Sequence, residues 1–266
     1  MATASPTLNI MIKAARRAGR ALVRDFNEVE SLQVSVKGAG DFVSAADRKA
    51  EEIIREELLG ARPAYGWCAE ESEEIHGRDP TRRWIVDPLD GTTNFLHGLP
   101  HWAVSIALEH KGRVTAAVVF DPAKDEIFVA ETGQGAWMND RRARVSARKD
   151  MGAALFATGV PFGAKTGLPR LLKEFATLMP RTAGIRRWGA ASLDLAYVAV
   201  GRLDGYWERE LNPWDIAAGE LIVREAGGLV AAPGHDPGQG GPVARGEIVA
   251  ANPQLFAPLN AAVGAS

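Results

Sequence analysis

The chain has 266 residues, 46% of them hydrophobic and 24% charged, and 31 Lys and Arg against 33 Asp and Glu leave a net charge of -2. These fractions argue against disorder, collagen-like repeats and coiled coil, and the near-zero charge supplies no global field for gripping nucleic acid or an anionic membrane surface. A single cysteine, Cys68, allows no intramolecular disulfide and fits a reducing compartment.

Met1 to Leu8 lacks the basic and apolar segments of a signal peptide, and no stretch approaches the ~20 apolar residues that span a bilayer. A soluble cytoplasmic protein is therefore expected. Leu8, Met11, Ile12, Ala15, Ala18, Leu22 and Phe26 recur at helical spacing and predict a first helix with a solvated basic face, followed by a short connector. A second helix is expected from near Ser44 or Asp47, with Ile53, Ile54, Leu58 and Leu59 as its apolar stripe and Gly60 as its stop. From Gly66 the period changes. Trp84 to Val86 reads as a short buried strand that Pro88 must end. Val104 to Glu109, Val114 to Asp121 and Glu126 to Glu131 read as strands with hairpin-like links, so this part should be antiparallel.

After about Val145 helices and strands alternate. Strands are expected at Leu155 to Gly159, Gly184 to Arg187, Asp204 to Glu208, Gly228 to Ala232 and Glu247 to Ala251. Helices are expected at Pro169 to Met179, Ser192 to Val200, Trp214 to Ala226 and after Pro253. Pro233 to Pro242 reads as a Gly- and Pro-rich loop. Sheets covered by helices follow from this order. No linker composition divides the chain, so one α/β domain is expected, with an antiparallel-sheet half at about 1–145 and a second α/β half at about 146–266.

The informative stretch is Trp84-Ile85-Val86-Asp87-Pro88-Leu89-Asp90-Gly91-Thr92-Thr93. A hydrophobic strand delivers two carboxylates into a turn, and acids held this close repel unless a cation sits between them. All-oxygen ligation suits a hard divalent metal, Mg2+ above all. The residues after Gly91 begin a short helical turn whose free N–H groups suit a phosphate oxygen. Taken singly, Asp-Pro and Asp-Gly are ordinary turn pairs. The run Asp-Pro-x-Asp-Gly-Thr after a strand arises by chance in on the order of one in ten thousand chains of this length. Glu70-Glu71-Ser72, Asp41-Phe42-Val43-Ser44-Ala45-Ala46-Asp47 and Trp214-Asp215-Ile216-Ala217-Ala218-Gly219 supply further acids. Asp47 or Asp215 alone would read as a helix cap or first-turn charge.

Together these segments, in this order and spacing, resemble the inositol monophosphatase family of Mg2+-dependent, lithium-sensitive phosphatases. The resemblance implies an α-β-α-β-α sandwich of the inositol monophosphatase and fructose-1,6-bisphosphatase type. It implies two or three Mg2+ ions held by Glu70, Asp87, the Leu89 carbonyl, Asp90 and Asp215, with Asp47 helping a weaker third. It also implies substrate contacts from Asp90, Gly91, Thr92, Gly189, Ala190, Ala191, Glu208 and Asp215, with Glu208 as the sugar-hydroxyl acid. Catalysis would rest on Glu70 orienting a water and on Thr92 paired with Asp47 activating it, with direct in-line attack. Ala190 departs from the family, where many relatives carry Ser or Thr.

Other chemistries fit less well. A haloacid-dehalogenase-type enzyme has its acids two apart, and a cysteine phosphatase needs Arg six after the nucleophile, where Glu74 follows Cys68. Cys68 reads as a small buried residue. His97 and His101 are separated by Gly98 and Pro100, which break the helix that metal spacing requires. Gly163 to Thr166 lacks the upstream glycine of a nucleotide loop.

The expected substrate is a small phosphate monoester, foremost inositol monophosphate. The alternatives are a nucleotide bisphosphate, fructose bisphosphate or histidinol phosphate, or a regulatory role with a protein partner, since some bacterial relatives touch the transcription machinery. Glu208 and the lack of a basic cluster favour a neutral polyol, and Arg186 and Arg187 are the residues able to reverse this. No direct nucleic acid or membrane contact is expected, and the family habit is a homodimer.

Overall fold

The computed structural model describes residues 4–28, 34–38, 41–160 and 167–264. The elements run α1 (Pro6–Phe26), β1 (Val34–Gly38), β2 (Asp41–Ser44), α2 (Ala45–Ala61), β3 (Gly66–Ala69), β4 (Arg82–Asp90), α3 (Thr92–Leu96), β5 (Ala103–His110), β6 (Arg113–Asp121), β7 (Glu126–Glu131), β8 (Gly135–Met138) and β9 (Arg141–Arg142). They continue with β10 (Leu155–Thr158), α4 (Leu168–Leu178), β11 (Gly184–Arg186), α5 (Ala191–Ala199), β12 (Gly205–Glu208), α6 (Pro213–Glu225), β13 (Leu229–Ala231), α7 (Pro242–Arg245), β14 (Ile248–Ala251) and α8 (Phe256–Gly264).

β3 to β9 form a seven-stranded sheet in chain order, and a five-stranded sheet has the order β11-β10-β12-β14-β13. Successive side chains on a strand point to opposite faces, and here both faces are covered. Trp84, Val86, Val104, Ile106, Val118 and Val129 pack against α1 and α2. Ile85, Ala107, Ala117, Val119 and Phe128 face α5 and α6 instead. The second sheet repeats the division: Ala157, Tyr206, Ile248 and Ala250 face α5 and α6, while Phe156, Trp207, Val249 and Ala251 face Leu178 and α8. The layers are therefore α-β-α-β-α, as the resemblance implies. Two-sided burial explains why these strands read as continuous apolar runs, each such side chain contributing about 1.5–3 kcal/mol. α5 and α6 lie close because Gly219 has no side chain; a Cβ there would meet Leu195 Cβ at 2.5 Å.

Several expectations change. β4 does not stop at Pro88: Asp87 pairs with Ser105 and Asp90 with Ala103, so an irregularity at Pro88 and Leu89 carries the strand on. A bulge is how a sheet accommodates a residue without an N–H donor. β3 runs parallel to β4 at the edge of the otherwise antiparallel part. The second helix passes Gly60 to Ala61, and the Arg62 N–H still donates to the Leu58 carbonyl at 2.9 Å. The connector after α1 contains the β1–β2 hairpin, and β8 and β9 extend the sheet beyond the strands read from sequence. Gly163 to Thr166 lies outside the described residues.

Candidate active site

The end of β4 opens into a cleft of about 330 Å3 lined by Glu70, Asp87, Leu89, Asp90, Gly91, Thr92, Gly189, Ala190, Ala191, Glu208 and Asp215, among others. Of the metal, substrate and catalytic residues that the resemblance implies, Asp47 alone is absent from this lining. It is 1% exposed and sits behind Thr92, whose Oγ1 is 3.3 Å from its Oδ2 and 2.9 Å from the Leu89 carbonyl oxygen. The single hydroxyl proton serves one of these acceptors at a time. A larger hollow of about 650 Å3 lies between Arg83, Glu109, Glu220 and Arg224, but Arg83 pairs with Glu109 and Arg224 with Glu220.

Local chemistry places each acid. Asp87 Oδ1 accepts from the Leu89 N–H at 2.9 Å, an Asx-type turn that fixes the carboxylate as the strand bulges. Asp215 is in the first turn of α6, after Asn212 and Pro213, and its Oδ2 accepts from the Asn212 N–H at 2.7 Å. It is thus both a cap and a wall of the cleft. Asp90 Oδ2 accepts from the Ser192 N–H at 2.7 Å and from its hydroxyl, which docks the β4 acid on the N-terminus of α5, where helix dipole and free N–H groups favour an anion. Gly91 turns the chain from β4 into α3 at φ +93°, with the His101 carbonyl 3.0 Å and Ala190 Cβ 3.3 Å from where a Cβ would lie. Both conditions require glycine.

The electrostatics are those of crowded, buried acids. Burial, then the charges of Glu70, Asp90, Asp215 and Asp47, push Asp87 well above the ordinary carboxylate range. Burial, then Asp90, does the same to Asp215. Burial pushes Asp90 up to about 6 against the opposing hydrogen bonds from the start of α5. Glu208 is pushed up to about 7, mainly by burial, with the Tyr206 hydroxyl and Arg187 pulling the other way. Asp47, Glu70 and Glu71 bring carboxylate oxygens within 4.8 Å of one another. Hard oxygen donors under mutual repulsion are the donor set of a divalent cation, so these residues fit Mg2+.

The sequence reading missed Ser192, which holds Asp90, and Gly159, which lines the same cleft. A serine two residues into a helix was the available signal for the first; nothing local marks the second. Arg187 lines the cleft, whereas Arg186 is exposed and turned to the Ile185 carbonyl. His101 is half-buried against Trp188 and Tyr197, and desolvation holds it down at about 4, as a neutral turn histidine. Cys68 is buried in the core.

Two helix-covered sheets enclosing a strand-end cleft of carboxylates define a layered α/β protein with an acidic cleft suited to a divalent cation. Residues 3–265 match the inositol monophosphatase family. The chain is 55% identical to the inositol-1-monophosphatase of Rhizobium meliloti over 96% of its length and 95% of the relative's. It is 45% identical to the Nus factor SuhB of Escherichia coli, covering 94% of this chain and 92% of that one. The crystal structure of the extragenic suppressor protein suhB from Bartonella henselae superposes with a TM-score of 0.93 at 52% identity, covering 97% and 98% of the two chains. The chain belongs to the inositol monophosphatase family.

Proposed function

We propose that the protein is a phosphoric monoester hydrolase that releases phosphate from myo-inositol monophosphate, working as one catalytic domain in a cytoplasmic homodimer. The observation that carries this reading is the single cleft that holds the buried acids and Glu208 together. Glu70, Asp87, Asp90, Asp215 and the Leu89 carbonyl would hold two Mg2+ ions, with Asp47 contributing to a third. Bound there, the metal neutralises phosphoryl oxygens, lowers the pKa of water and stabilises the leaving alkoxide.

The protein's own groups do the rest. The Gly91 and Thr92 N–H groups hold the phosphate, with Ala190 and Ala191 lining the cleft beside Gly91. Glu70 orients a water on the far side of the ester, and Thr92 accepts from that water while donating to Asp47. Attack is direct and in line, with no phosphorylated residue. Glu208 receives the ring hydroxyls, and Gly189 leaves room for the Arg187 guanidinium, which fills the place of a Cβ there. Phosphate release from a panel of monophosphates, with Mg2+ and after chelation, tests the reading. Full activity without metal, or no preference for inositol monophosphate over aryl phosphates, would overturn it. The likeness to a Nus factor favours a second reading, a protein partner in transcription with catalysis secondary; retention of that partner by an Asp87→Asn variant would support it.

A further inference from the structure

β10 and β12 run parallel, with Phe156 beside Gly205, Ala157 beside Tyr206 and Thr158 beside Trp207. One step further on, the register sets Gly159 beside Glu208. The Gly159 backbone is not among the positive-φ glycines, so its conformation is open to any residue and gives no reason for glycine. The reason lies in the space above it. A Cβ on Gly159 would overlap Oε1, Cδ and Oε2 of Glu208, and no other atom lies nearer. The carboxylate therefore occupies the volume a side chain would fill. The Tyr206 hydroxyl, on a fully buried ring, donates to Glu208 Oε2. Charge alone does not hold the acid there, because Arg187 attracts it while Asp90 repels it.

We propose that Gly159 and Tyr206 are positioning residues that hold the Glu208 carboxylate in one orientation toward the substrate's ring hydroxyls, and so set selectivity for a cyclic polyol phosphate. The inference rests on the reading of Glu208 as the hydroxyl-binding acid. The obstacle to Gly159→Ala is the end of a long side chain rather than backbone, so the added methyl displaces Glu208 and leaves the fold intact. Tyr206→Phe keeps the ring in the core and removes only the donor.

The test compares kcat/KM for myo-inositol 1-phosphate and 4-nitrophenyl phosphate in Gly159→Ala, Tyr206→Phe, Glu208→Ala and the double variants, with melting temperatures on the same preparations. A lost hydrogen bond to a charged group corresponds to a fall of about 10- to 150-fold. That fall is expected for the inositol ester in Gly159→Ala and in Tyr206→Phe, with the aryl ester changed less than ~3-fold in these two variants. Adding Gly159→Ala or Tyr206→Phe to Glu208→Ala should change neither substrate further, because the acid they position is gone. If Glu208→Ala discriminates and the other two do not, the positioning role falls while the reading of Glu208 stands. If Glu208→Ala affects both esters equally, that reading falls and takes the inference with it. Equal losses on both substrates that persist in the Glu208→Ala background would show a merely structural role. Should Gly159→Ala fail to fold, Tyr206→Phe decides alone.

Discussion

Replacing Thr92 by Val separates water activation from simple helix capping. The hydroxyl lies 2.9 Å from the Leu89 carbonyl and 3.3 Å from Asp47 Oδ2, and Asp47 is 1% exposed. Valine keeps the shape and deletes both contacts. Removing a donor from a buried charged group costs about 1.5–3 kcal/mol, so the melting temperature should fall in either case. The two roles part at the rate. General-base assistance is worth ~10²–10⁴-fold, and kcat should fall by that much if Thr92 relays a proton to Asp47. Glu70, Asp87 and Asp90 remain, so the Mg2+ concentration giving half-maximal activity should move less than ~3-fold. Thr92→Ser keeps the hydroxyl and should retain most of the rate. Steady-state kinetics over an Mg2+ series, with thermal melts on the same preparations, give all three quantities. A kcat within a few-fold of wild type would refute the proton relay, and a large rise in the Mg2+ requirement would show that Thr92 acts by orienting the Leu89 carbonyl.

Asp87→Asn and Asp215→Asn should each lower kcat/KM by at least ~10²-fold, since each removes a charged metal ligand. Both should raise the melting temperature of the chelated protein, because each relieves the burial and repulsion that push these acids upward; a lower melting temperature would contradict the crowding. Asp90 and Glu208 have folded pKa values raised to about 6 and about 7, so the folded chain binds more protons than the unfolded one between pH ~4 and ~7. Stability of the chelated protein should therefore fall as pH rises through that window, and Mg2+ should flatten the slope, measured by thermal melts at several pH values. Gly219→Ala forces a methyl against Leu195 and should cost about 1–3 kcal/mol by overpacking, read by urea denaturation.

Sequence alone carries whatever is encoded within a few neighbouring residues. The heptad-like stripe from Leu8 to Phe26 is α1, and the apolar Trp84 to Val86 run followed by Asp-Pro-Leu-Asp-Gly-Thr marks a buried strand, a glycine turn and the start of α3, though not the residue at which the strand ends. Asn212, Pro213 and Asp215 announce the start of α6, because caps and proline at the first helical positions act over one turn. Those local signals were enough to name the acids. They were not enough for short strands such as β8 and β9, whose pairing partners rather than their composition make them strands.

What tertiary structure alone decided is which of these groups meet, because contacts between distant segments come from packing and register. The bulge that carries β4 past Pro88 depends on β5 continuing to pair beyond it. Asp90 docks on Ser192 more than a hundred residues away because α5 is wedged between the two sheets. Gly159 stands under Glu208 only through the parallel register of β10 and β12, and a glycine in sequence carries no mark of the side chain that fills its missing volume. The acids' raised pKa values have the same origin: each carboxylate is ordinary in its own segment and becomes strained for a cation only when the layers bury several of them around one cleft.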